Sequence, residues 1–235
     1  MKKLIIASTS TVHGKGYLEY ILPELSELFH GIHEILFIPY ARPSGLSHDE
    51  YTARAKEAFK KININVKGIH EFTNPIEAVN NAKGIFTGGG NTFLLLKQLY
   101  DQKVISILKS VVENGIPYFG TSAGSNITGL TIQNTNDMPI IYPPSFNALG
   151  FINFNLNPHY LDPDPTSTHM GETRETRINE YHTINITPVL GLREGSWLSV
   201  KGTKVLLKGL LNGRLFIKDK PAKELPPETD LSFLM

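Results

Sequence analysis

Short apolar runs alternate with segments of helical periodicity through the first half of the chain, and this alternation is the strongest constraint on the fold. The runs at residues 4–7, 34–39, 84–87 and 117–120 have the length of buried strands rather than of helices. Helix-like segments between them are the crossover connections that parallel strands require. We therefore expect an α/β fold with a mostly parallel sheet and helices on both faces.

Several of these helices carry their own start signals. Ser47 and Glu50 have the Ser-x-x-Glu spacing of a capping box, and Pro75 suits the first turn of a helix. Periodicity predicts helices after Ser47, at 75–82, 91–100, 104–113 and 173–181. It also predicts strands at 63–69, 151–157 and 189–192, and a hairpin at 197–207.

The chain of 235 residues has the length of one large domain or two small ones. It contains no internal repeat, low-complexity tract or linker, so we predict a single domain over residues 1–235. Residues 221–235 begin with a segment rich in proline and charged side chains, and we expect them to be a loosely attached tail.

The charge and the cysteine count exclude several classes of function. The 23 Lys+Arg and 22 Asp+Glu give a net charge of +1, which is too neutral for a general nucleic-acid binder. The apolar run at residues 4–7 is too short for a secretory signal or a membrane span, so we expect a cytoplasmic protein that binds no membrane. The absence of cysteine excludes disulfides, thiolate metal sites and cysteine nucleophiles.

Residues 120–124 match the pattern G-x-S-x-G, with Ser122 as the candidate nucleophile. The motif directly follows a predicted strand and precedes a segment that can begin a helix. A sharp turn there would expose the Ser122 hydroxyl and aim the Ala123 amide at a developing oxyanion. The alternative interpretation is a glycine-rich turn with an idle serine.

A second glycine-rich turn, at residues 88–90, follows another predicted strand. It lacks the spacing of dinucleotide-binding and P-loop motifs, so we predict no nucleotide site. Because ligands bind outside the carboxyl ends of parallel strands, both turns are expected to face one pocket. The Gly90 amide is then a candidate second oxyanion donor, unless this is simply a tight turn.

A serine nucleophile needs a base and a carboxylate that orients the base. Among eight histidines, His159 is the candidate base because it ends a strand-like run, although a surface role is the alternative. Asp137 and Glu194 compete for the role of orienting acid. Glu194 follows a predicted strand, which favours it, but it could instead pair with Arg193, and Asp137 could instead cap a turn.

A loose cluster of imidazole and carboxylate groups raises the possibility of a metal site. Two prolines in the same stretch indicate an extended solvent loop instead, and the spacing matches no metal motif. We therefore predict no metal and no cofactor. The cluster consists of His159, Asp162, Asp164 and His169.

Several short blocks follow one another along the chain in a characteristic order. They are GGGNTF at 88–93, Ser122-Ala123-Gly124 with Asn126, TNDMPI at 135–140, NPH at 157–159, GETRE at 171–175 with Arg177 and Ile178, and Glu194-Gly195 with Trp197. In this order they resemble peptidase E, the α-aspartyl dipeptidase family of serine peptidases, and the resemblance runs from the first strand to about Trp197. It implies a fold related to the class I glutamine amidotransferases, with serine in place of their cysteine nucleophile.

The resemblance implies hydrolysis of dipeptides that carry an N-terminal aspartate, with Ser122 as nucleophile and His159 as base. For the third member, the family interpretation is divided between the residues matching Asp137 and Glu194. The family match also favours Arg174 as the clamp for the substrate's side-chain carboxylate, and the alternative is a solvated arginine paired with glutamate.

Three other functions remain open at this point. One is an α/β-hydrolase esterase, whose chain order is serine, acid, histidine. The others are a cyanophycinase-like peptidase and a binding module without enzymatic activity. In the peptidase interpretation, the partner is a small peptide substrate and the protein is a monomer or a homodimer.

Overall fold

A seven-stranded sheet and a four-stranded sheet form the frame of the fold, which a computed structural model describes for residues 1–164, 166, 168 and 170–235. The strands are β1 (Lys3–Ala7), β2 (Glu34–Ile38), β3 (Asn65–Gly68), β4 (Ile85–Thr87), β5 (Tyr118–Thr121), β6 (Asn155–Pro158), β7 (Val189–Leu192), β8 (Ser196–Lys201), β9 (Lys204–Gly209), β10 (Gly213–Phe216) and β11 (Lys223–Leu225). The helices are α1 (Leu22–Leu28), α2 (His48–Lys60), α3 (Pro75–Asn81), α4 (Thr92–Asp101), α5 (Ile105–Glu113), α6 (Ala123–Asn126) and α7 (Arg174–Ile184).

The larger sheet confirms the predicted α/β architecture. Its strand order is β3-β2-β4-β5-β1-β8-β9, with the first five strands parallel, β8 antiparallel to β1, and β9 antiparallel to β8. The carboxyl ends of β4, β5 and β1 are neighbours in this order. The turns that follow these three strands therefore meet at one edge of the sheet.

The core lies on both faces of the larger sheet. Successive side chains of a strand point to opposite faces, and in β1 Leu4 and Ile6 pack with α3, α4 and α5, whereas Ile5 packs with α1 and α2. The second sheet shares the first of these two core clusters through residues such as Leu156 and Leu190. The two sheets are therefore joined by one continuous apolar core.

The helix start signals are present as predicted. The Ser47 hydroxyl accepts a hydrogen bond from the Glu50 amide at 3.2 Å, and the Ser47 amide donates to Glu50 Oε2 at 2.7 Å. Pro75 begins α3, and the Asn91 side chain caps α4 by accepting from Leu94 N at 3.0 Å. Within the described residues, no helix is both long and apolar enough to cross a membrane.

Part of the second half of the chain forms a separate sheet, which the sequence analysis did not predict. Its order is β11-β10-β7-β6, and the sequence analysis did not predict β10 or β11. These strands are short, and β11 has a single buried residue, so neither shows the alternation that identifies a strand. The hairpin of β8 and β9 is confirmed, and β6 begins four residues later than predicted.

The expectation of a loosely attached tail is wrong. Strand β11 pairs antiparallel with β10, and Leu231 N donates to Val205 O at 2.8 Å. Leu225 and Leu231 are buried in the same core cluster as the sheet. The tail is held in place because burial of these two leucines in the core removes their apolar side chains from water.

This packing predicts that Leu231→Ala lowers the free energy of unfolding by about 2–5 kcal/mol, as is typical when a buried leucine is truncated. Chemical denaturation of the full chain measures the change. Leu210→Ala is the control, because the Leu210 side chain is 94% exposed and its loss should change stability by less than about 0.5 kcal/mol. Equal stability of the two variants would mean that the tail does not contribute to the core.

Candidate active site

Ser122 lies in the sharp turn between β5 and α6, where the G-x-S-x-G pattern places it. Its backbone has φ 53° and ψ −112°, in the positive-φ range that residues with a side chain seldom adopt. Ser122 N donates to Ala7 O at 3.1 Å, and Asn126 N donates to Ser122 O at 2.8 Å. These bonds hold the strained residue between the sheet and the helix and lift its hydroxyl out of the strand.

The two glycines of the motif, Gly120 and Gly124, are required because each lies too close to a backbone carbonyl to carry a side chain. A Cβ on Gly124 would overlap the carbonyl oxygen of Thr87, and one on Gly120 would lie 2.5 Å from the carbonyl oxygen of Gly124. The buried Tyr118 hydroxyl donates to that same Gly124 oxygen at 2.7 Å. Helix α6 is therefore pressed against β4 and β5, which fixes the direction in which Ser122 points.

His159 and Glu194 complete a chain of hydrogen bonds that starts at Ser122. His159 follows the last residue of β6, and its Nε2 is 3.0 Å from Ser122 Oγ. Its Nδ1 is 2.7 Å from Glu194 Oε1. Because a carboxylate only accepts, the proton lies on Nδ1 and donates to Glu194, which leaves Nε2 to accept from the Ser122 hydroxyl. This is the arrangement of nucleophile, base and orienting acid.

Glu194 is available to His159 because Arg193 is engaged elsewhere. The Arg193 guanidinium donates to Asp162 at 2.7 and 2.8 Å and to Glu224 at 2.9 and 3.0 Å. It also lies over the ring of Tyr160, with 5.4 Å to the ring centroid. The alternative in which Glu194 pairs with Arg193 is therefore not the one that the structure adopts.

Asp137 occupies a different position in the same pocket. Its Oδ2 accepts from the amide of Thr92 at 2.7 Å, at the first residue of α4. A carboxylate is stabilised there by the helix dipole and the free amides of the first turn. Among the contacts of the described residues, Asp137 makes no hydrogen bond to His159. Of the two competing acids, the structure thus brings only Glu194 to the imidazole.

The hydroxyl and the imidazole open into a small cavity of about 190 Å³. Arg174, the first residue of α7, reaches into it, although the helix dipole disfavours a cation at that end of a helix. Burial and the nearby Arg177 lower the pKa of Arg174, while the Asp137 carboxylate opposes that shift. The cavity is lined by Thr92, Ser122, Ala123, Asn126, Thr135, Asn136, Asp137, Pro158, His159 and Arg174.

The two candidate oxyanion donors differ in their surroundings. Ala123 lines the cavity, whereas Gly90 is outside the set of residues that line it. Gly90 has φ +145° and packs so closely on Ala41 that a Cβ would overlap the Ala41 carbonyl. The preceding amide, of Gly89, donates to the Tyr51 hydroxyl at 2.9 Å. Within the described part of the chain, the Gly90 and Ala123 amides donate to no protein acceptor.

Sequence reasoning did not assign a role to two asparagines of this cavity. Asn126 is 2% exposed, and its Oδ1 has no hydrogen-bond partner among the described residues. The sequence did contain a signal for Asn126, which lies four residues after Ser122. Residues at this spacing share one face of a helix, so the spacing places Asn126 on the same side as the nucleophile. Asn136 Nδ2 donates to Pro158 O and Asn157 Oδ1, both at 3.0 Å. It thereby ties the loop carrying Asp137 to the strand that ends at His159.

The cluster weighed as a metal site does not form one in the part of the chain that is described. No group of three or more His, Cys, Asp or Glu side chains suited to a metal occurs there. Asp162 is engaged by Arg193, whose hydrogen bonds hold the pKa of that carboxyl below its usual value. His169, the remaining imidazole of the cluster, lies outside the described residues.

Comparisons with known proteins find relatives along nearly the whole chain. A sequence model of Peptidase family S51 matches residues 4–208. The chain is 44% identical over 237 residues to the Drosophila melanogaster protein named "Probable alpha-aspartyl dipeptidase", covering 100% of this chain and 98% of that protein. It is 46% identical over 232 residues to peptidase E of Streptomyces coelicolor, covering 99% and 94%.

A solved structure shares the fold. A peptidase from an acI-B1 actinobacterium superposes with a TM-score of 0.69, covering 99% of this chain and 97% of that one, at 16% identity. The arrangement of sheets and helices is therefore one that a known peptidase also adopts.

The geometry predicts different effects for the two carboxylates. Glu194→Gln should slow labelling of Ser122 by a fluorophosphonate by ~10²–10⁴-fold, because an amide neither fixes the imidazole tautomer nor stabilises the imidazolium. Asp137→Asn should change the labelling rate only a few-fold, since an amide oxygen can still accept from Thr92 N. A time course of fluorophosphonate labelling, quenched at successive times, measures the rates for both variants. The opposite ranking would assign the orienting role to Asp137.

Proposed function

The chain belongs to peptidase family S51, and on that basis we propose that it is a serine dipeptidase that hydrolyses dipeptides with an N-terminal aspartate. The observation that carries this proposal is the continuous hydrogen-bonded series of Ser122, His159 and Glu194 at the mouth of a small cavity that also holds Arg174. The names of the relatives supply the substrate class.

The reaction proceeds through an acyl-enzyme. Ser122 Oγ attacks the aspartyl carbonyl carbon while its proton passes to His159 Nε2, and Glu194 stabilises the imidazolium that forms. The amide of Ala123, which lines the cavity and has no protein acceptor among the described residues, stabilises the tetrahedral oxyanion. The amide of Gly90, likewise free within the described chain, is the second donor, because its neighbour Gly89 packs against Ser122. The imidazolium then protonates the leaving amine as the C–N bond breaks.

Water completes the cycle by hydrolysing the ester on Ser122. His159 takes a proton from the water as its oxygen attacks the ester carbonyl, and returns the proton to Ser122 Oγ as aspartate leaves. The same imidazole thus acts first as base and then as acid in each of the two steps. This requires that it keep contact with both Ser122 and Glu194 throughout.

The cavity offers partners for both charges of an N-terminal aspartate. Arg174 provides a bidentate fork for the side-chain carboxylate. Asp137, which is free of His159, and the unpartnered Oδ1 of Asn126 provide acceptors for the α-ammonium. Both charges of the substrate would otherwise be buried without partners, which is the physical source of the selectivity.

The chain order of the site argues against the esterase alternative. The acid at the imidazole, Glu194, follows His159 in the chain, whereas α/β-hydrolases place the acid before the histidine. No contact of the described residues favours an aspartate-rich polymer over a dipeptide. The polymer is therefore included as an alternative substrate in the assay below.

A panel of Asp-, Glu-, Asn- and Ala-initiated dipeptides tests the proposed activity. We expect Asp-initiated dipeptides to be hydrolysed fastest, and Ser122→Ala to lower their kcat by ~10⁴–10⁶-fold. An assay of released amino acids measures the rates, with circular dichroism to show that the variant is folded. Hydrolysis of simple esters or of an aspartate-rich polymer, without hydrolysis of Asp-dipeptides, would overturn the assignment.

Arg174 and Arg177 form a matched pair for testing the clamp, since both lie in the first turn of α7. Arg174→Gln should lower kcat/KM for Asp-dipeptides by ~10–100-fold, as expected for the loss of a hydrogen bond between charged groups. Arg177→Gln should have little effect, because Arg177 is exposed and pairs with Glu172 at 3.5 Å. Steady-state kinetics of both variants decide the point, and equal losses would show that Arg174 acts only through the net charge of the helix.

A further inference from the structure

We propose that Ser8 is a positioning residue that holds the backbone of the His159–Glu194 pair in register with Ser122. The inference rests on the proposed function, because it assigns Ser8 a part in the same serine chemistry. Ser8 is the first residue after β1 and does not line the catalytic cavity. It acts through the residues it holds rather than on the substrate.

The Ser8 hydroxyl joins the two segments that carry the base and the acid. It accepts a hydrogen bond from the His159 amide at 2.9 Å and donates to the Leu192 carbonyl at 2.7 Å. Leu192 is the last residue of β7, two residues before Glu194. A single oxygen therefore connects the backbone of His159 with the strand end that leads to Glu194.

Backbone groups of the same two-residue segment extend this connection. Ser8 N donates to Ser196 O at 3.0 Å, on the other side of Glu194, so the short Glu194 loop is held at both ends. The preceding carbonyl, of Ala7, accepts from Ser122 N at 3.1 Å and from the Ser125 hydroxyl at 2.6 Å. Residues 7 and 8 thus contact the backbone of the nucleophile, the backbone of the base and both ends of the acid's loop.

A hydroxyl is required at this point for two reasons. The position needs one group that both donates and accepts, which a hydroxyl provides and an alkyl group does not. His159 has φ +54°, so its backbone is strained and persists in that conformation only if its surroundings hold it. Ser8 is 0% exposed, so bulk water does not compete for these bonds.

The ion pairs around Arg193 do not link the same backbone groups as Ser8. They fix Arg193, Asp162 and Glu224 on the outer side of the loop. Their hydrogen bonds reach neither the His159 amide nor the Leu192 carbonyl, the two backbone groups that Ser8 joins in addition to the direct bond from Tyr160 N to Leu192 O. Ser8 is the hydroxyl that bonds to both.

The test compares Ser8→Ala with Thr52→Val in the full chain. Thr52 is a matched control, because it is also buried and its hydroxyl also donates to a backbone carbonyl, that of His48 at 2.8 Å, on α2. Five quantities are measured for each variant. They are the kcat and KM for an Asp-dipeptide, the rate of fluorophosphonate labelling of Ser122, the proton NMR signal of the imidazole N–H that donates to Glu194, and the thermal stability.

We expect Ser8→Ala to lower kcat and the labelling rate together by ~10–100-fold, with KM nearly unchanged, because small displacements of reacting groups cost rate rather than binding. The N–H signal should shift or broaden. Thr52→Val should lose thermal stability without any of these changes. If Ser8→Ala loses stability but keeps wild-type labelling and the wild-type N–H signal, Ser8 is only a core hydroxyl and the proposal is overturned.

Failure of the proposed function would look different. If the wild-type protein does not hydrolyse Asp-dipeptides, the substrate assignment fails, yet labelling of Ser122 and the N–H signal still report on the geometry that Ser8 is proposed to maintain. If the wild-type protein hydrolyses Asp-dipeptides and Ser8→Ala does so with the same kcat, the substrate assignment stands and the role of Ser8 is rejected.

Discussion

The strained backbone of Ser122 is the constraint on which the rest of the site depends. A residue with a side chain at positive φ costs about 1–3 kcal/mol, so it persists only where its neighbours leave it no alternative. Here α6 is buried along its whole length against β4 and β5, and the chain has glycine at the two points of closest approach, Gly120 and Gly124. The packing of α6 in the core therefore fixes the orientation of the Ser122 hydroxyl.

The sequence was sufficient to predict those parts of the fold that depend on local pattern. The parallel strands, the capped helices and the turn at Ser122 each involve residues close together in the chain. The second sheet and the attachment of the tail depend on pairings between distant short segments, such as β7 with β10, which leave little periodicity in either segment. The buried Leu225 and Leu231 show why composition misled, since two apolar residues in a segment rich in proline and charge are enough to anchor it.

The choice between Asp137 and Glu194 was open for a similar reason. Each follows a turn or strand end, and nothing local distinguishes the carboxylate that meets an imidazole from the one that caps a helix. The decision is made by Arg193, which binds Asp162 and Glu224 and so leaves its neighbour Glu194 free. These partners lie 31 residues from Arg193 in both directions, beyond the reach of any local pattern.

The charges around the cavity have a consequence for how such an enzyme coexists with other proteins. A space of about 190 Å³, with a cation on one side and a carboxylate on another, offers partners for the two charges at the start of an Asp-initiated peptide. Under the proposed function, internal peptide bonds lack the free α-ammonium that this cavity binds, so they are poor substrates whatever their sequence. A hydrolase restricted in this way can be active among folded proteins without digesting them.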